Sequence, residues 1–246
     1  MRTRAVVIAG LCATVAISGT ANAAGHKKAK PKPVPPVCNL VTDPAGDSPF
    51  DPVGTGLSQM PEDDNGDILS ADLASDGKFV TAVIRAKSLA TPGKAYPGAH
   101  LYMLSWTVPG HDTPVYLGGT IDPNPAAGAV FGPQFVFGDG GTVGPSTFSL
   151  FYYNIGATNV KGTVDAAKNT ITMSVPISAI SKYGKFTPGN TFSGLQASSQ
   201  ALVNGPVLPS NEPAVGGSIA WGFPEDTADG TKTYKAGAPS CVKPGS

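Results

Sequence analysis

Glycine or proline interrupts this chain every few residues, with 31 glycines and 24 prolines spread along 246 positions. A long helix tolerates neither in its interior, because proline removes an amide donor and glycine gives up the most backbone entropy. Between the interruptions lie short runs rich in Val, Ile, Thr, Phe and Tyr, the pattern of many short strands joined by turns. The runs predict strands near residues 78–87, 101–108, 115–121, 130–137, 147–155, 157–164, 170–175, 191–203 and 217–222. In LYMLSWTV, Tyr102, Leu104, Trp106 and Val108 share one face, and Ile171, Met173 and Val175 share another. A period of two with one apolar face describes a half-buried strand. Only PISAISKYG reads as helical, with Pro176 in the first turn, Ile177 and Ile180 three apart and Gly184 as a stop. No alternation of strand and helix and no long repeat is present, so the expected fold is all-β: an antiparallel sandwich, immunoglobulin-like or jelly-roll-like.

The ends of the chain differ from its middle. MRTRAVVIAGLCATVAISGTANA, residues 1–23, has the parts of a secretory signal: Arg2 and Arg4, an apolar stretch, and Ala21-Asn22-Ala23 before the cut. A Lys/Pro-rich spacer follows over 24–37, read either as a basic arm for an anionic surface or as a disordered leader. The remaining stretch, 38–246, is expected to be a single extracellular domain without a membrane span. It carries 11 basic and 17 acidic residues, a net charge of −6, which argues against nucleic acid as a partner.

The acids are concentrated. Nine carboxylates lie between Asp43 and Asp76, and no Lys or Arg occurs from Pro33 to Gly77. Either the run is a solvated loop, Asp and Gly being ordinary turn formers, or a cation holds it together. A hard ion such as Ca²⁺ takes six to eight oxygens from carboxylates and a turning backbone. Asp43 and Asp47 flank the turn Pro44-Ala45-Gly46, and Asp63, Asp64, Asn65 and Asp67 cluster around Gly66. The run is not an EF-hand: counted from Asp63, Ile68 falls where glycine is required and Ala74 where glutamate is required.

Once a signal is removed, two cysteines remain, Cys38 and Cys241. In an exported chain they are expected to form a disulfide closing the domain end to end, with two free thiols as the alternative. The candidate aromatic residues for stacking on a sugar are Tyr116, Trp221 and Tyr153, whereas Trp106 belongs to the apolar face of its strand and is expected in the core. Signals for catalysis are sparse. His100 and His111 fall in or beside turns, no nucleophile elbow, zinc-protease or phosphate-loop motif is present, and His100 with Met103, three apart on a strand, cannot jointly hold a haem.

The series DPAGD, DILSADLASDGKFVTAVIRAKSLA, GTVDAAKNTITMSVPISAI and EDTADGTKTY resembles the DOMON-like β-sandwich domains related to family 9 carbohydrate-binding modules, in the form common in secreted actinobacterial proteins. The resemblance spans nearly all of 38–246. It implies calcium held between N-terminal and C-terminal acidic segments, here Asp43 and Asp47 with Asp226 or Asp229. A Cys38–Cys241 clip would bring those segments together. The paired tryptophans that clamp a sugar in family 9 modules have no counterparts at matching positions here. The expected function is therefore a secreted, non-enzymatic binding module for a glycan or cell-surface component, stabilised by calcium. The alternatives are a structural or surface-associated protein with no small ligand, and an unrecognised secreted hydrolase.

Overall fold

The computed structural model describes residues 33–48, 62–90, 92, 96, 98–122, 134–140, 142–143, 150–151, 158–184, 186–205 and 219–245, all but the first within the compact unit Val34–Ser246. The expected signal, most of the spacer and Tyr153 lie outside these residues. In chain order the strands are β1 (Val41–Thr42), β2 (Ile68–Ser75), β3 (Phe79–Ala86), β4 (Ala99–Thr107), β5 (Val115–Ile121), β6 (Gln134–Asp139), β7 (Thr142–Val143), β8 (Leu150–Phe151), β9 (Thr158–Asn159), β10 (Lys161–Asp165), β11 (Thr170–Pro176), β12 (Thr191–Gly205), β13 (Ile219–Asp229) and β14 (Tyr234–Lys235). One helix, α1 (Ile177–Ile180), follows β11.

The strands form two main antiparallel sheets, which make the fold an all-β sandwich. One has five strands in the order β1-β2-β3-β11-β10; the other has seven, in the order β13-β12-β4-β5-β6-β9 with β14 also paired to β12. Side chains of both sheets meet in one core that includes Leu73, Ile84, Ile171 and Met173 from the first, and Tyr102, Leu104, Trp106 and Phe137 from the second. Trp106 is fully buried, as its place in the alternation requires.

Four expectations need correction. β4 is buried on both faces rather than half-buried, since Leu101 and Met103 pack with Tyr116 and Leu202 on the side away from Tyr102 and Trp106. It is an interior strand, bonded to β12 on one side and β5 on the other, so neighbouring side chains cover both faces. The single strand expected over 157–164 is two: β9 pairs with β6, β10 pairs with β11, and the chain changes sheets at Val160. α1 is a single turn, with Pro176 extended at its N-cap (φ −63°, ψ 140°) rather than inside the first turn. Finally, the strand expected to stop at Gly222 continues through Pro224 to Asp229. β13 is a sheet edge, where a missing amide donor costs no ladder bond on the open side.

The acidic stretch also contains a strand. β2 lies inside it, with Asp72 fully buried; Arg85 donates to Asp72 Oδ2 at 2.8 Å and the Leu40 amide to Oδ1 at 3.2 Å. Cys38 and Cys241 form a disulfide across 203 positions of sequence, with Cα atoms 5.3 Å apart. Beside it Val37 and Ser240 form a parallel bridge, and Val41 bridges Gly230, joining β1 to the chain just beyond β13. The edge of one sheet is thereby stitched to the edge of the other.

Candidate functional site

The stitched edges set the location. Asp43 follows β1 directly and its amide donates to Leu69 O at 3.1 Å. The next turn reverses at Gly46, whose φ of +88° favours glycine and whose amide donates to Asp67 Oδ2 at 2.6 Å. Residues 63–67 then fold into the end of the sandwich. The Asp63 amide donates to Ser48 O (2.8 Å), and the Asn65 amide to Asp63 Oδ1 (3.0 Å). Tyr102 donates its hydroxyl to Asn65 O at 2.6 Å, Ser199 to Gly66 O at 2.5 Å, and the Lys87 amide to Asp67 O at 2.8 Å. Asp63, Asn65 and Asp67 are at most 1% exposed. A solvated loop would leave them in water, so that reading does not hold for this segment.

Two groups of side chains converge here. In the first, Asp43, Asp47 and Asp226 each offer a carboxylate oxygen, and the three oxygens lie within 4.8 Å of one another. Asp226, on β13, also accepts the Ile68 amide at 2.7 Å. Burial pushes its carboxyl up to about 8; the Ile68 amide pulls the other way, and the negative charge of Asp43 and Asp47 adds to the rise. Asp43 is raised as well, by burial first and then by Asp47 and Asp67, against a hydrogen bond with Asp226 that lowers it. Asp43 Oδ2 and Asp67 Oδ1 are buried with no hydrogen-bond partner among the described residues. Carboxylates gathered this closely favour a shared proton, as between Asp43 and Asp226, or a bound cation in its place.

In the second group, Asp63, His100 and Glu225 again each present one ligand atom within 4.8 Å of the others, and all three side chains are 0% exposed. His100 Nε2 stands 3.4 Å from Asp63 Oδ2 and 3.4 Å from Glu225 Oε2. Burial pulls the imidazole down, but the two carboxylates outweigh it and carry it up to about 9. Burial likewise raises Glu225, with His100 opposing. Glu225 reaches this position through a β-bulge. Ser199 pairs with Asp226 and Gln200 with Pro224, so Glu225 is an extra residue with no partner on β12. A bulge re-aims a side chain, and here it lets the consecutive residues Glu225 and Asp226 both be buried and serve different groups.

The other residues singled out from the sequence lie elsewhere. Asp64 and Asp67 meet Lys87, whose Nζ is 2.7 Å from Asp64 and 3.2 Å from Asp67. Those hydrogen bonds, Asp64 first, hold the ammonium above its ordinary value. Asp229 is exposed and accepts from Gln196 Nε2 at 2.9 Å; three residues past Asp226 on a strand, it faces the opposite way. Tyr116 is 1% exposed, so the expectation that its ring offers a stacking face is corrected: it packs with Leu101, Met103 and Leu202. Trp221 lies in β13 opposite Val203, and its side chain is outside what the structure describes. His111 is in the β4–β5 turn, as expected, with Nε2 3.6 Å from Asp139.

His100, expected in or beside a turn, is instead a fully buried residue of β4, and nothing in the sequence singled out Glu225 or Lys87. His100 had a legible signal, since AHLYMLSW puts it in phase with Tyr102, Leu104 and Trp106, which face the core. Glu225 had none, because a bulge cannot be read from alternation. Among the described residues, no helix is long and apolar enough to cross a membrane. No protein-family model, curated protein or solved structure matches this chain.

Proposed function

We propose that this is an exported, non-enzymatic β-sandwich whose acidic edge binds Ca²⁺ through Asp43, Asp47 and Asp226, and that the braced edge presents a surface to a glycan or cell-surface component. The observation that carries the calcium reading is the convergence of three carboxylates from sequence-distant segments, with buried carboxylate oxygens left unpartnered beside them. Their chemistry is that of a hard, oxygen-seeking cation. The resemblance to DOMON-like and family 9 carbohydrate-binding domains supports the same placement, and the signal-like sequence of residues 1–23 supports export.

A ligand bound only by the folded state stabilises it by about 2.7 kcal/mol at a hundred times its Kd. For a domain of this size that raises Tm by about 5–10 °C. Calcium added to the chelated protein is expected to produce this rise in differential scanning calorimetry, and Asp43→Asn and Asp47→Asn to remove it. An unchanged Tm up to millimolar calcium would refute the reading. Asp226→Asn has a second expected consequence. With its carboxyl raised to about 8, Asp226 holds a proton in the calcium-free fold at neutral pH that it releases on unfolding; asparagine removes that cost and keeps an oxygen for the Ile68 amide. The calcium-free variant is expected to be more stable than the calcium-free parent by on the order of 2 kcal/mol, measured by urea unfolding in chelator, while losing the calcium response.

A specific observation favours a second reading, a surface-associated structural protein with no small ligand. Among the described residues the one large hydrophobic side chain well exposed is Val34, so no aromatic platform for a sugar is visible there. Glycan-array binding by the calcium-loaded protein separates the two: retention of a defined glycan supports the module, and uniform absence supports the structural role.

A further inference from the structure

The acidic edge does not account for Asp63, His100 and Glu225, which involve a nitrogen ligand and are sealed from solvent. Asp63 Oδ2 accepts the Tyr96 amide at 3.1 Å and a hydrogen bond from His100, but the His100 contacts are long for an ionised pair. Charge-assisted N–H···O contacts shorten to about 2.7–2.9 Å, yet His100 Nε2 stays 3.4 Å from an oxygen of each carboxylate. A tetrahedral zinc-type site with metal–ligand bonds of about 2.1 Å has ligand atoms about 3.4 Å apart along every edge. The two measured separations match that edge.

The partners are also incomplete without an ion. Glu225 is fully buried at its side chain, and neither of its oxygens has a hydrogen-bond partner among the described residues. Ser48 Oγ is buried and likewise unpartnered. Both converge above Gly66, where an added Cβ would lie 2.6 Å from Ser48 Oγ and 2.7 Å from Glu225 Oε2. Glycine there is what lets Ser48 and Glu225 come this close to the backbone and to each other. A divalent ion would balance the two carboxylate charges with His100 neutral, removing the cost of burying an excess negative charge.

We propose that Asp63, His100 and Glu225 form a second cation site, for a tetrahedral, nitrogen- and oxygen-ligated divalent metal of the zinc class, with Ser48 or a water it holds as the fourth ligand. The site is distinct in ligands and in metal preference from the carboxylate group at Asp43, and it does not depend on calcium binding there. Its enclosure makes it a structural centre, tying the loop at 63–67 to β4 and β13.

The test uses the untagged full chain, stripped with chelator and titrated with Zn²⁺ against a chromophoric competitor, and with Co²⁺ followed by visible absorption. The expected result is one bound equivalent of Zn²⁺ and the intense visible bands of four-coordinate Co²⁺. Glu225→Gln, which preserves size, and His100→Gln are expected to weaken binding by about 100-fold or more, beyond the range seen when only supporting residues are changed. Asp43→Asn and Asp47→Asn are expected to keep full zinc affinity. The proposal is overturned if the parent protein binds no Zn²⁺, if Glu225→Gln binds as tightly as the parent, or if bound Co²⁺ shows the pale spectrum of six-coordination. Should His100→Gln fail to fold, the Co²⁺ spectrum of the parent and the Glu225→Gln titration still decide.

Discussion

Replacing Cys38 and Cys241 together by serine is expected to lower Tm by roughly 10–20 °C. The bond closes a loop spanning 203 positions, and the chain-entropy relation assigns about 5 kcal/mol to a loop of that length. The C-terminal segment is also tied to the first sheet, through Ser240 Oγ to Leu73 O at 2.8 Å and the Gly245 amide to Thr81 Oγ1 at 2.9 Å, but the direct bonds between the two ends are few. Val37 donates to Pro239 O at 3.0 Å, the Cys241 amide reaches Val37 O at 3.4 Å, and Lys232 Nζ donates to Cys38 O and Asn39 O at 2.9 and 3.0 Å. These are exposed or long contacts, each contributing about 1 kcal/mol at best. Calorimetry of the double-serine variant beside the parent, and of the parent with and without reductant, measures the effect. A drop under about 3 °C would mean that the backbone bridges fasten the ends by themselves, and that the entropic account of this bond is wrong.

Trp106→Ala is expected to cost about 3–5 kcal/mol, and Trp106→Phe under about 1.5 kcal/mol. The indole is fully buried between rings of different strands, with centroids 6.3 Å from Phe137 and 5.9 Å from Phe192. Phe192 continues the contact to Phe186 at 5.6 Å and Tyr234 at 6.2 Å, so the indole anchors a chain of aromatic packing through the core. Alanine leaves a cavity that both neighbours border. Phenylalanine keeps most of the ring contact and deletes an indole N–H that finds no acceptor among the described residues, so the usual penalty for losing a polar partner is absent. Urea unfolding of the two variants gives the comparison. Equal losses would show that the indole N–H is bonded in solution and that packing is not the dominant contribution.

The sandwich was legible because its central strands announce themselves. In β3, β4, β5 and β11, β-branched and aromatic residues repeat between turn signals, and tertiary contacts only moved the ends by a residue or two. β2 and the second half of β13 were hidden by composition: ILSADLAS and PEDTAD read as turns because Asp and Ser favour local hydrogen bonds. Asp72 is accommodated in a strand by Arg85, thirteen residues away, and Asp226 by the Ile68 amide, 158 residues away. Those partners exist only after folding. The same holds for the sites. The turn at Asp43 and Asp47 carries a local signature, and Asp226 was reached through a resemblance, but assigning Asp63 to His100 rather than to its neighbour Asp64 requires knowing which strands meet. Asp64, one residue on, turns outward to Lys87.

The bulge at Glu225 places sheet regularity and site chemistry in conflict over one codon. Deleting that residue would let Pro224 and Asp226 face Gln200 and Ser199 in unbroken step, and an edge strand with an unbroken ladder is the better template for pairing with a second chain. Drift toward a smoother β13 would thus empty one pocket and, in the same event, make the protein stickier along its open edge. Retaining the extra residue guards against both.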